Sequence, residues 1–424
     1  MKALRWLTRI GPAFVVAAVV LGPGSVTTMT KMGAARGYSM LWLPLLAGCL
    51  MAAMVAMFMR FGIAADRSYL THCAALTGRW FAALCGLSMF YIATAFQFGN
   101  NLGVAMAVDS LLTPAAEAGA GAAPPVPAWV WPVVFNAAAM AFLFAFRRIY
   151  TLLEKMMTAL VAIMLLAFVA NLLMLIVRPG DAAAAAGKPA PEAFDWLVAA
   201  GLIATTFSIV GAIFQTYLVR ARGWKREDFG KGVADAVGGI GMLTLISMVI
   251  MATSAMVLHP RGLTVRSAGD MAMQLESLFG AGAKVIFCVG FGAAAFSSFL
   301  VNAMIGGTLL ADGLGLSDDV NSLPVKLCSA ASLLIGMVVA VLVTYWKAID
   351  FADALVAAQA GTLLAIPLAI VSAVLVLLAP RRAGVAPLKL PAKLLALTGL
   401  AVLVATAAVS CTRIVRKLAR MFGG

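Results

Sequence analysis

Long apolar segments follow one another along most of this chain, and they restrict its possible folds more than any other feature. Hydrophobic residues make up 63% of the 424 residues and charged residues only 11%, with a mean hydropathy of +1.02. A water-soluble protein of this length carries far more charge on its surface. Because about 20 consecutive apolar residues cross a bilayer as one helix, we expect a polytopic membrane protein.

Eleven membrane spans can be drawn between the polar segments. They cover residues 11–36, 40–65, 81–112, 128–147, 151–177, 195–220, 233–258, 283–311, 325–346, 353–379 and 390–413. The polar stretches between them are too short to bury a core of their own, so no soluble domain is expected. The predicted fold class is an all-α polytopic membrane bundle.

The net charge of +14 lies mainly in short loops between the spans. Positively charged loops favour the cytoplasmic side and contact anionic lipid, so the expected partner of this charge is the bilayer and not a nucleic acid. With the N-terminus inside, most Lys and Arg residues fall on the inner side, which predicts a bacterial inner-membrane protein with a cytoplasmic N-terminus. Four basic residues near the C-terminus leave the side of that terminus open: Arg413, Arg416, Lys417 and Arg420.

Signals for enzymatic chemistry are missing from the sequence. The six cysteines are scattered, mostly within apolar spans, and none forms a CxxC pair that would suggest a disulfide or a zinc site. Paired carboxylates, a nucleophile elbow and a metal-hydrolase motif are also absent from the sequence. We therefore expect neither an enzyme nor a bound cofactor.

The first span is interrupted by Gly22-Pro23-Gly24-Ser25. Gly and Pro together disfavour helix at this point. Non-helical backbone at membrane depth is tolerated only against protein or a water-filled cavity. Its carbonyls and helix ends can hold an ion or a small polar solute. A packing kink without a ligand is the alternative.

The sixth span carries a similar feature five spans later. Gly211 and the polar trio Gln215, Thr216 and Tyr217 lie well inside an apolar helix. Polar groups at that depth line a bundle interior or a cavity, although hydrogen bonding between helices is an alternative explanation. Interrupted helices at corresponding places in two halves indicate a transporter site.

Several short motifs resemble one transporter family. They are Gly11-Pro12-Ala13-Phe14 before the first break, the segment Gly37–Trp42, the segment Arg60–Ile63, Phe296-Ser297-Ser298 in the eighth span, and Gln359 with Pro367 in the tenth. In these motifs and in its eleven spans the chain resembles the Nramp family of divalent-metal transporters. The resemblance implies the leucine-transporter fold, with an inverted five-plus-five repeat and discontinuous helices 1 and 6. The implied repeats are residues 11–177 and 195–379, followed by an additional helix at 390–413.

The resemblance also implies a metal site, from which this sequence departs. The family's Asp-Pro-Gly-Asn is Gly22-Pro23-Gly24-Ser25 here, and its Met and His fall on Gln215 and Tyr217 when no gap is introduced. The implied metal ligands are therefore the carbonyls of Gly22 and Ala212, the Ser25 hydroxyl and the Gln215 amide. All of these are neutral. Further substrate-binding candidates are Thr216, Tyr217, Gln359 and three amides of the third span, namely Gln97, Asn100 and Asn101.

Three explanations of such a neutral site are possible. A divalent cation could keep much of its water, as magnesium prefers. A carboxylate could reach the site from Asp109, Asp235, Asp312 or Asp353, which all lie near span ends. A small organic solute such as an amino acid would also suit neutral hydrogen-bonding groups.

The sequence does not identify an ion whose gradient drives transport. The two histidines, His72 and His259, lie in loop or helix-end regions, where we expect them to be solvated. Coupling to H⁺ or Na⁺ therefore has no obvious carrier. We expect an Nramp-like secondary transporter of a metal cation that works by alternating access. The alternatives are a transporter of a small organic solute and a membrane sensor or scaffold that does not transport.

Overall fold

The computed structural model describes residues 22–113, 126–144, 147–177, 196–346, 350–378, 394, 397–408 and 412. Across these ranges the chain forms helices joined by turns and short 3₁₀ segments, and no strand occurs among them. The all-α fold class predicted from the apolar spans is confirmed.

Sixteen helices are numbered here in chain order within the described ranges. They are α1 (Pro23–Arg36), α2 (Trp42–Ala64), α3 (Tyr69–Thr77), α4 (Arg79–Leu112), α5 (Val130–Phe144), α6 (Arg147–Val177), α7 (Trp196–Thr206), α8 (Ile209–Ala221), α9 (Phe229–Val257), α10 (Ala268–Ala272), α11 (Glu276–Phe279), α12 (Ala283–Leu314), α13 (Leu323–Trp346), α14 (Phe351–Gly361), α15 (Ile366–Leu378) and α16 (Leu397–Ala408).

Each predicted span contains at least one of these helices. Seven helical segments of the described chain are long and apolar enough to cross a membrane, and the pair α14 and α15, bent by 44°, provides an eighth. Two shorter apolar helices, α5 and α16, coincide with the predicted fourth and eleventh spans. Only α1 represents the first span, since residues 11–21 lie outside the described residues.

Both spans that were predicted to be interrupted are broken, the first at Gly22 as predicted and the sixth a few residues before Gly211. Helix α1 begins at Pro23, directly after the extended backbone of Gly22, where the fixed φ of proline suits a first helical position. Between α7 and α8 the helix is broken at Phe207 and Ser208, and Ser208 has extended backbone. The Ser208 hydroxyl accepts a hydrogen bond from the Gly211 amide at 3.2 Å and so caps the start of α8.

Helices α4 and α12 share the most extensive contact between helices in the described part of the chain. Two glycines allow this close approach. A Cβ on Gly86 would lie 2.7 Å from the Leu309 carbonyl oxygen, and one on Gly313 would lie 2.8 Å from the Ala82 carbonyl oxygen. Small residues commonly permit such packing between membrane helices. We call this closely packed pair, α4 and α12, the frame, because both helices contribute residues to the cavity described below.

The cysteines and the basic C-terminal residues are covered only in part by the described ranges. Cys49, Cys73, Cys85, Cys288 and Cys328 are unpaired, and Cys411 lies outside the described residues. The basic residues from 413 onward also lie outside them.

The expectation that both histidines are solvated is wrong for His72. This residue lies in α3, is only 4% exposed, and its ring is 5.5 Å from that of Phe61. The short helix α3 packs back against the bundle, which buries the His72 side chain. His259 is partly exposed, and its Nδ1 lies 2.7 Å from the Ala34 carbonyl oxygen.

Candidate functional site

A small cavity of about 30 Å³ lies where the two broken spans meet. Its volume suits one or two water molecules or an ion. The residues that line it come from six helices and both breaks. They are Gly22, Gly24 and Ser25 at the start of α1; Ala93, Phe96 and Asn100 of α4; Thr205 of α7; Ser208, Val210 and Gly211 around the start of α8; Asn302 and Ile305 of α12; and Gln359 of α14.

The polar groups of this lining are hydroxyls and amides. None of the described residues that line the cavity carries a charge, a thioether or an imidazole. Ser25, Asn100, Thr205, Asn302 and Gln359 are all buried, each no more than 6% exposed. The surroundings are therefore apolar, with a few inward neutral oxygen and nitrogen atoms.

Gln359 has the most distinctive position in the lining. Its side chain lies so close to Gly24 that a Cβ there would collide with the amide, and its Nε2 is 3.0 Å from the place of a Cβ on Gly99. Glycine at both positions therefore makes room for this side chain. The Gln359 Oε1 atom is buried and has no hydrogen-bond partner among the described residues. A buried acceptor of this kind is suited to a cation or a water molecule.

Four of the ten predicted site residues line the cavity together: Gly22, Ser25, Asn100 and Gln359. The Gly22 carbonyl also accepts hydrogen bonds from the Ser25 amide at 3.1 Å and the Val26 amide at 3.3 Å, as the first carbonyl of a helix does. The Asn100 amide donates to the Gln97 Oε1 at 3.5 Å.

Four other predicted residues lie in α8, beyond the cavity lining. The helix restarts at Ile209, so Ala212 and Gln215 are within it and not at the break. Gln215 is one turn past Gly211 on the same face and is completely buried. Thr216 packs its backbone against Gly62 of α2.

Tyr217 is engaged in a different group of side chains. Its hydroxyl donates to the Asp312 carboxylate at 2.6 Å. The same carboxylate accepts hydrogen bonds from Ser68 at 2.9 Å, Thr71 at 2.7 Å and the Leu70 amide at 3.1 Å. This network fixes the start of α3 against α8 and the end of α12, so Asp312 and Tyr217 serve the packing of these helices.

The two remaining amides point away from the cavity lining. Gln97 packs its side chain against Gly336 of α13. Asn101 donates to the Gln97 carbonyl at 2.9 Å and accepts a hydrogen bond from Asn136 of α5. Asn101 therefore joins α4 to α5 by an interhelical hydrogen bond, whereas Gln97 meets α13 through packing.

None of the four candidate carboxylates belongs to the cavity lining in the described residues. Asp312 is held in the network with Tyr217, and Asp353 forms an ion pair with Lys31. Asp109 and Asp235 lie in α4 and α9 and also have interactions of their own. The cavity stays neutral because these carboxylates lie elsewhere.

Sequence reasoning missed Asn302, and it did not select Thr205 or Ser208. Asn302 lies four residues after Ser298 in an otherwise apolar stretch of α12, so both share one helix face. That spacing was a usable signal. Thr205 and Ser208 flank the actual break, which the ungapped match to the family motif placed several residues later.

Residues 13–413 match the family described as natural resistance-associated macrophage protein-like. This chain belongs to the Nramp family. It is 25% identical over 336 residues to the "Divalent metal cation transporter MntH" of Acidiphilium cryptum, covering 78% of this chain and 74% of that relative.

Solved structures support the same fold at lower identity. The Eremococcus coleocola manganese transporter, in complex with an aromatic bis-isothiourea substituted compound, superposes with a TM-score of 0.68 at 16% identity, covering 94% of this chain and 85% of that one. MhsT in complex with L-phenylalanine gives 0.62 at 15% identity, covering 95% and 98%. The leucine-transporter fold is confirmed, while the limits of the two repeats, 11–177 and 195–379, stay predictions.

Proposed function

We propose that this chain is a secondary transporter that moves a divalent metal cation across the membrane by alternating access. The observation that carries the proposal is the neutral, oxygen-bearing cavity at the junction of the two helix breaks. Breaks of this kind are where transporters of this architecture hold ions near the bilayer midplane. Membership of the Nramp family and the similarity to a relative named for divalent metal transport support the choice of substrate.

The lining favours a hard cation that keeps part of its water. Ser25, Thr205, Asn302 and Gln359 offer oxygen atoms. The described part of the lining has no sulfur ligand that would select a softer transition metal. Neutral ligands alone do not compensate a dehydrated divalent charge. Magnesium dehydrates reluctantly and is bound with several waters, so Mg²⁺ is the first cation to test, followed by Mn²⁺ and Ca²⁺.

The size of the cavity favours an ion over an organic solute. A volume of about 30 Å³ accommodates one or two waters beside the neutral side chains. Pockets for small organic molecules are typically about 300–1,000 Å³. An amino acid would require a much larger opening between α1, α8 and α14.

Proton coupling through the lining is not part of the proposal. None of the groups that line the cavity within the described chain titrates near neutral pH. Cation binding there should consequently exchange no proton with the lining itself. We propose transport down the electrochemical gradient of the cation, with Na⁺ and H⁺ gradients as variables to be tested.

We also propose the orientation of the bundle in the membrane. The ends of α2 and α8 lie together, because Arg220 donates to the Ala65 carbonyl. The start of α4 and the helix α3 lie at this same end, because Arg79 donates to the Asp312 carbonyl while Thr71 and Tyr217 donate to the Asp312 carboxylate. Arg60, Arg67 and the basic run after α8 are at the same end. The positive-inside rule supports a cytoplasmic location for this basic end, in a bacterial inner membrane.

Cation uptake into proteoliposomes tests the proposal. Purified protein should give saturable Mg²⁺ uptake, and Asn302→Ala or Gln359→Ala should weaken it. A hydrogen bond or ligand to a charged group contributes about 1.5–3 kcal/mol, so each variant should raise the KM roughly 10- to 100-fold. Asn321→Ala is the matched control, because it removes an exposed amide from the loop before α13.

Gln215→Ala distinguishes the observed break from the one implied by the ungapped family motif. The variant should change KM less than Gln359→Ala if the lining described here binds the cation. Absence of saturable uptake of Mg²⁺, Mn²⁺ and Ca²⁺ by folded protein would contradict the proposed substrate class. Saturable uptake of an amino acid instead would support the organic-solute alternative, and no uptake at all would support a sensor or scaffold.

A further inference from the structure

A second and larger cavity of about 260 Å³ opens at the end of the bundle opposite the basic end. We call it the vestibule. Its lining consists of Lys31, Ala34, Ala35, Val198, Leu263, Thr264, Val265, Arg266, Asp350 and Asp353. Among the described residues that line the vestibule, two cations and two carboxylates balance each other in charge.

Three helices place the vestibule directly above the small cavity. Lys31 follows Ser25 by six residues in α1, and Asp353 precedes Gln359 by six residues in α14. Val198 precedes Thr205 by seven residues in α7. At 1.5 Å per residue, each helix separates the two cavities by about 9–11 Å. The vestibule is therefore the approach to the small cavity from that side.

The four charges are not arranged equivalently. Arg266 is attached to the start of α14, because its carbonyl accepts a hydrogen bond from the Ala352 amide at 3.3 Å and its Nε lies 3.8 Å from the Asp350 carboxylate. Lys31 instead reaches from α1 to form an ion pair with Asp353 of α14. The Lys31 side chain is only 16% exposed, whereas that of Asp353 is 59% exposed.

A fixed positive charge at the approach to a cation site opposes the substrate unless a carboxylate compensates it. We infer that the charge of Lys31 controls how readily the substrate cation enters the transport site. The Lys31 ammonium group neutralises Asp353 until the incoming cation displaces it from that carboxylate. Lys31 thus serves as a specificity-determining residue at the entrance, beyond the residues that line the small cavity. The inference rests on the proposed transport of a divalent cation and on the proposed orientation.

The inference predicts that removing Lys31 and removing Asp353 change the KM for the cation in opposite directions. Lys31→Met leaves Asp353 uncompensated and makes the vestibule more negative, so the KM for Mg²⁺ supplied from the vestibule side should fall about fivefold or more. Asp353→Asn leaves Lys31 uncompensated, so that KM should rise about fivefold or more. Both shifts should shrink at high ionic strength, because the vestibule is open to solvent.

Arg261→Gln provides the matched control. Arg261 lies on the same side of the bundle, and its guanidinium is 3.7 Å from the Glu276 carboxylate, but it does not line the vestibule. Removal of this cation should leave the KM for Mg²⁺ within about twofold. The double variant with Lys31→Met and Asp353→Asn should return the KM toward that of the parent protein.

Thiol modification measures the vestibule potential without transport. A cysteine introduced by Thr264→Cys lines the vestibule and is exposed. In a background without the native cysteines, the rate of its reaction with a cationic methanethiosulfonate is to be compared with the rate for an anionic one of similar size. Lys31→Met should raise the ratio of cationic to anionic rate several-fold, and Asp353→Asn should lower it.

The outcomes separate this inference from the proposed function. Equal changes of KM in the same direction for Lys31→Met and Asp353→Asn would overturn it, because a mechanical latch loses function when either partner is removed. Unchanged KM values with intact uptake would overturn it as well, as would an unchanged ratio of thiol rates. Opposite shifts in both readouts support it, whereas failure of the parent protein to transport any cation would overturn the proposed function and this inference with it.

Discussion

At the scale of single residues, the cavity depends on a glutamine and the glycine beside it. Gln359 of α14 lies across Gly24 of α1, and no larger residue fits at Gly24 without a shift of that amide. The buried Oε1 atom of Gln359 is without a hydrogen-bond partner in the described structure. Leaving such an acceptor unpaired costs about 1–3 kcal/mol, which a bound cation or water would offset.

Gly24→Ala should therefore impair transport without unfolding the protein. The added methyl group meets the far end of a flexible side chain, so Gln359 should rotate away from the cavity while the helices keep their places. We expect the KM for Mg²⁺ to rise about tenfold or more, corresponding to about 1.4 kcal/mol of binding free energy. Uptake into proteoliposomes gives the KM, and size-exclusion chromatography in detergent verifies folding.

Gly241→Ala is the control for the glycine substitution itself. Gly241 lies in α9, and a Cβ at this position meets no atom within 4 Å. This variant should transport like the parent protein. If Gly24→Ala also kept the parental KM, the assignment of Gln359 as a ligand would have to be abandoned.

The residues of the site were predictable only in part. Gly22 and Ser25 followed from the Gly-Pro-Gly cluster, which interrupts a helix in any context. Ala212 and Gln215 came from an ungapped motif, yet the chain breaks at Phe207 and Ser208, where Ser208 caps the next helix. Neither residue is a strong helix breaker on its own, so the sequence offers no comparable signal there.

At the scale of helices, α4 and α12 act as one frame for the site. Asn100 and Asn302 reach the cavity from these two helices. The approach of the helices depends on Gly86 and Gly313, whose missing side chains let each backbone meet the other. Close backbone contact of this kind stabilises membrane helix pairs through packing and not through the hydrophobic effect.

Gly86→Ala should destabilise this frame measurably. Its Cβ would meet the Leu309 carbonyl at 2.7 Å, a backbone atom that cannot move by itself. Overpacking of a tight contact costs about 1–3 kcal/mol, so the protein should unfold at a clearly lower temperature. Thermal unfolding in detergent, followed by fluorescence-detected chromatography, gives the midpoint. A midpoint equal to that of Gly241→Ala would show that the two helices are less tightly coupled than the geometry indicates.

Helix α3 adds a pH-dependent element at the basic end. It lies between the spans α2 and α4, and burial lowers the pKa of His72, with the nearby Arg67 charge contributing in the same direction. The folded protein consequently favours the neutral ring. Since the unfolded chain binds the proton more readily, stability from this residue is present above a pH of about 6.5 and is lost as the pH falls below it.

His72→Leu should make the thermal stability less dependent on pH. The parent protein should show a falling unfolding temperature between pH 7.5 and pH 5.5, partly because the buried imidazole must be protonated. The leucine variant removes that contribution and keeps an apolar side chain beside Phe61. Unfolding temperatures measured in matched buffers test this, and identical pH slopes for the two proteins would show that His72 does not contribute.

At the scale of the whole molecule, the fold was the most predictable level. Apolar length alone located helices within all eleven predicted spans, because the bilayer fixes the length of a spanning helix. The positions of side chains were less predictable. Tyr217, for example, lies in the same span as Thr205 but bonds to Asp312, since the helix restart sets which face of α8 meets the cavity.

The contacts divide the bundle into two groups of helices. Helices α4, α5, α12 and α13 pack on one another, with Thr94 and Ser332 hydrogen-bonded at 3.0 Å between α4 and α13. Helices α1, α2, α8 and α9 form other close contacts, including the bond from Ser254 to the Thr30 carbonyl. Helix α14 packs on α4 of the first group. Alternating access would require the two groups to move relative to each other, with α1 separating from α14 at the vestibule.

A cross-link across the vestibule should therefore stop transport. In a background without the native cysteines, Lys31→Cys with Asp353→Cys removes both charges of the ion pair and leaves the vestibule balanced. This double variant should transport until a short bis-methanethiosulfonate joins α1 to α14, and a reductant should restore uptake. A bridge between Thr94→Cys and Ser332→Cys lies within one group of helices and should leave uptake unchanged. Uptake that continued with the vestibule bridge in place would mean that the cation passes without separation of α1 from α14. The bridge between residues 94 and 332 controls for the chemistry of cross-linking itself.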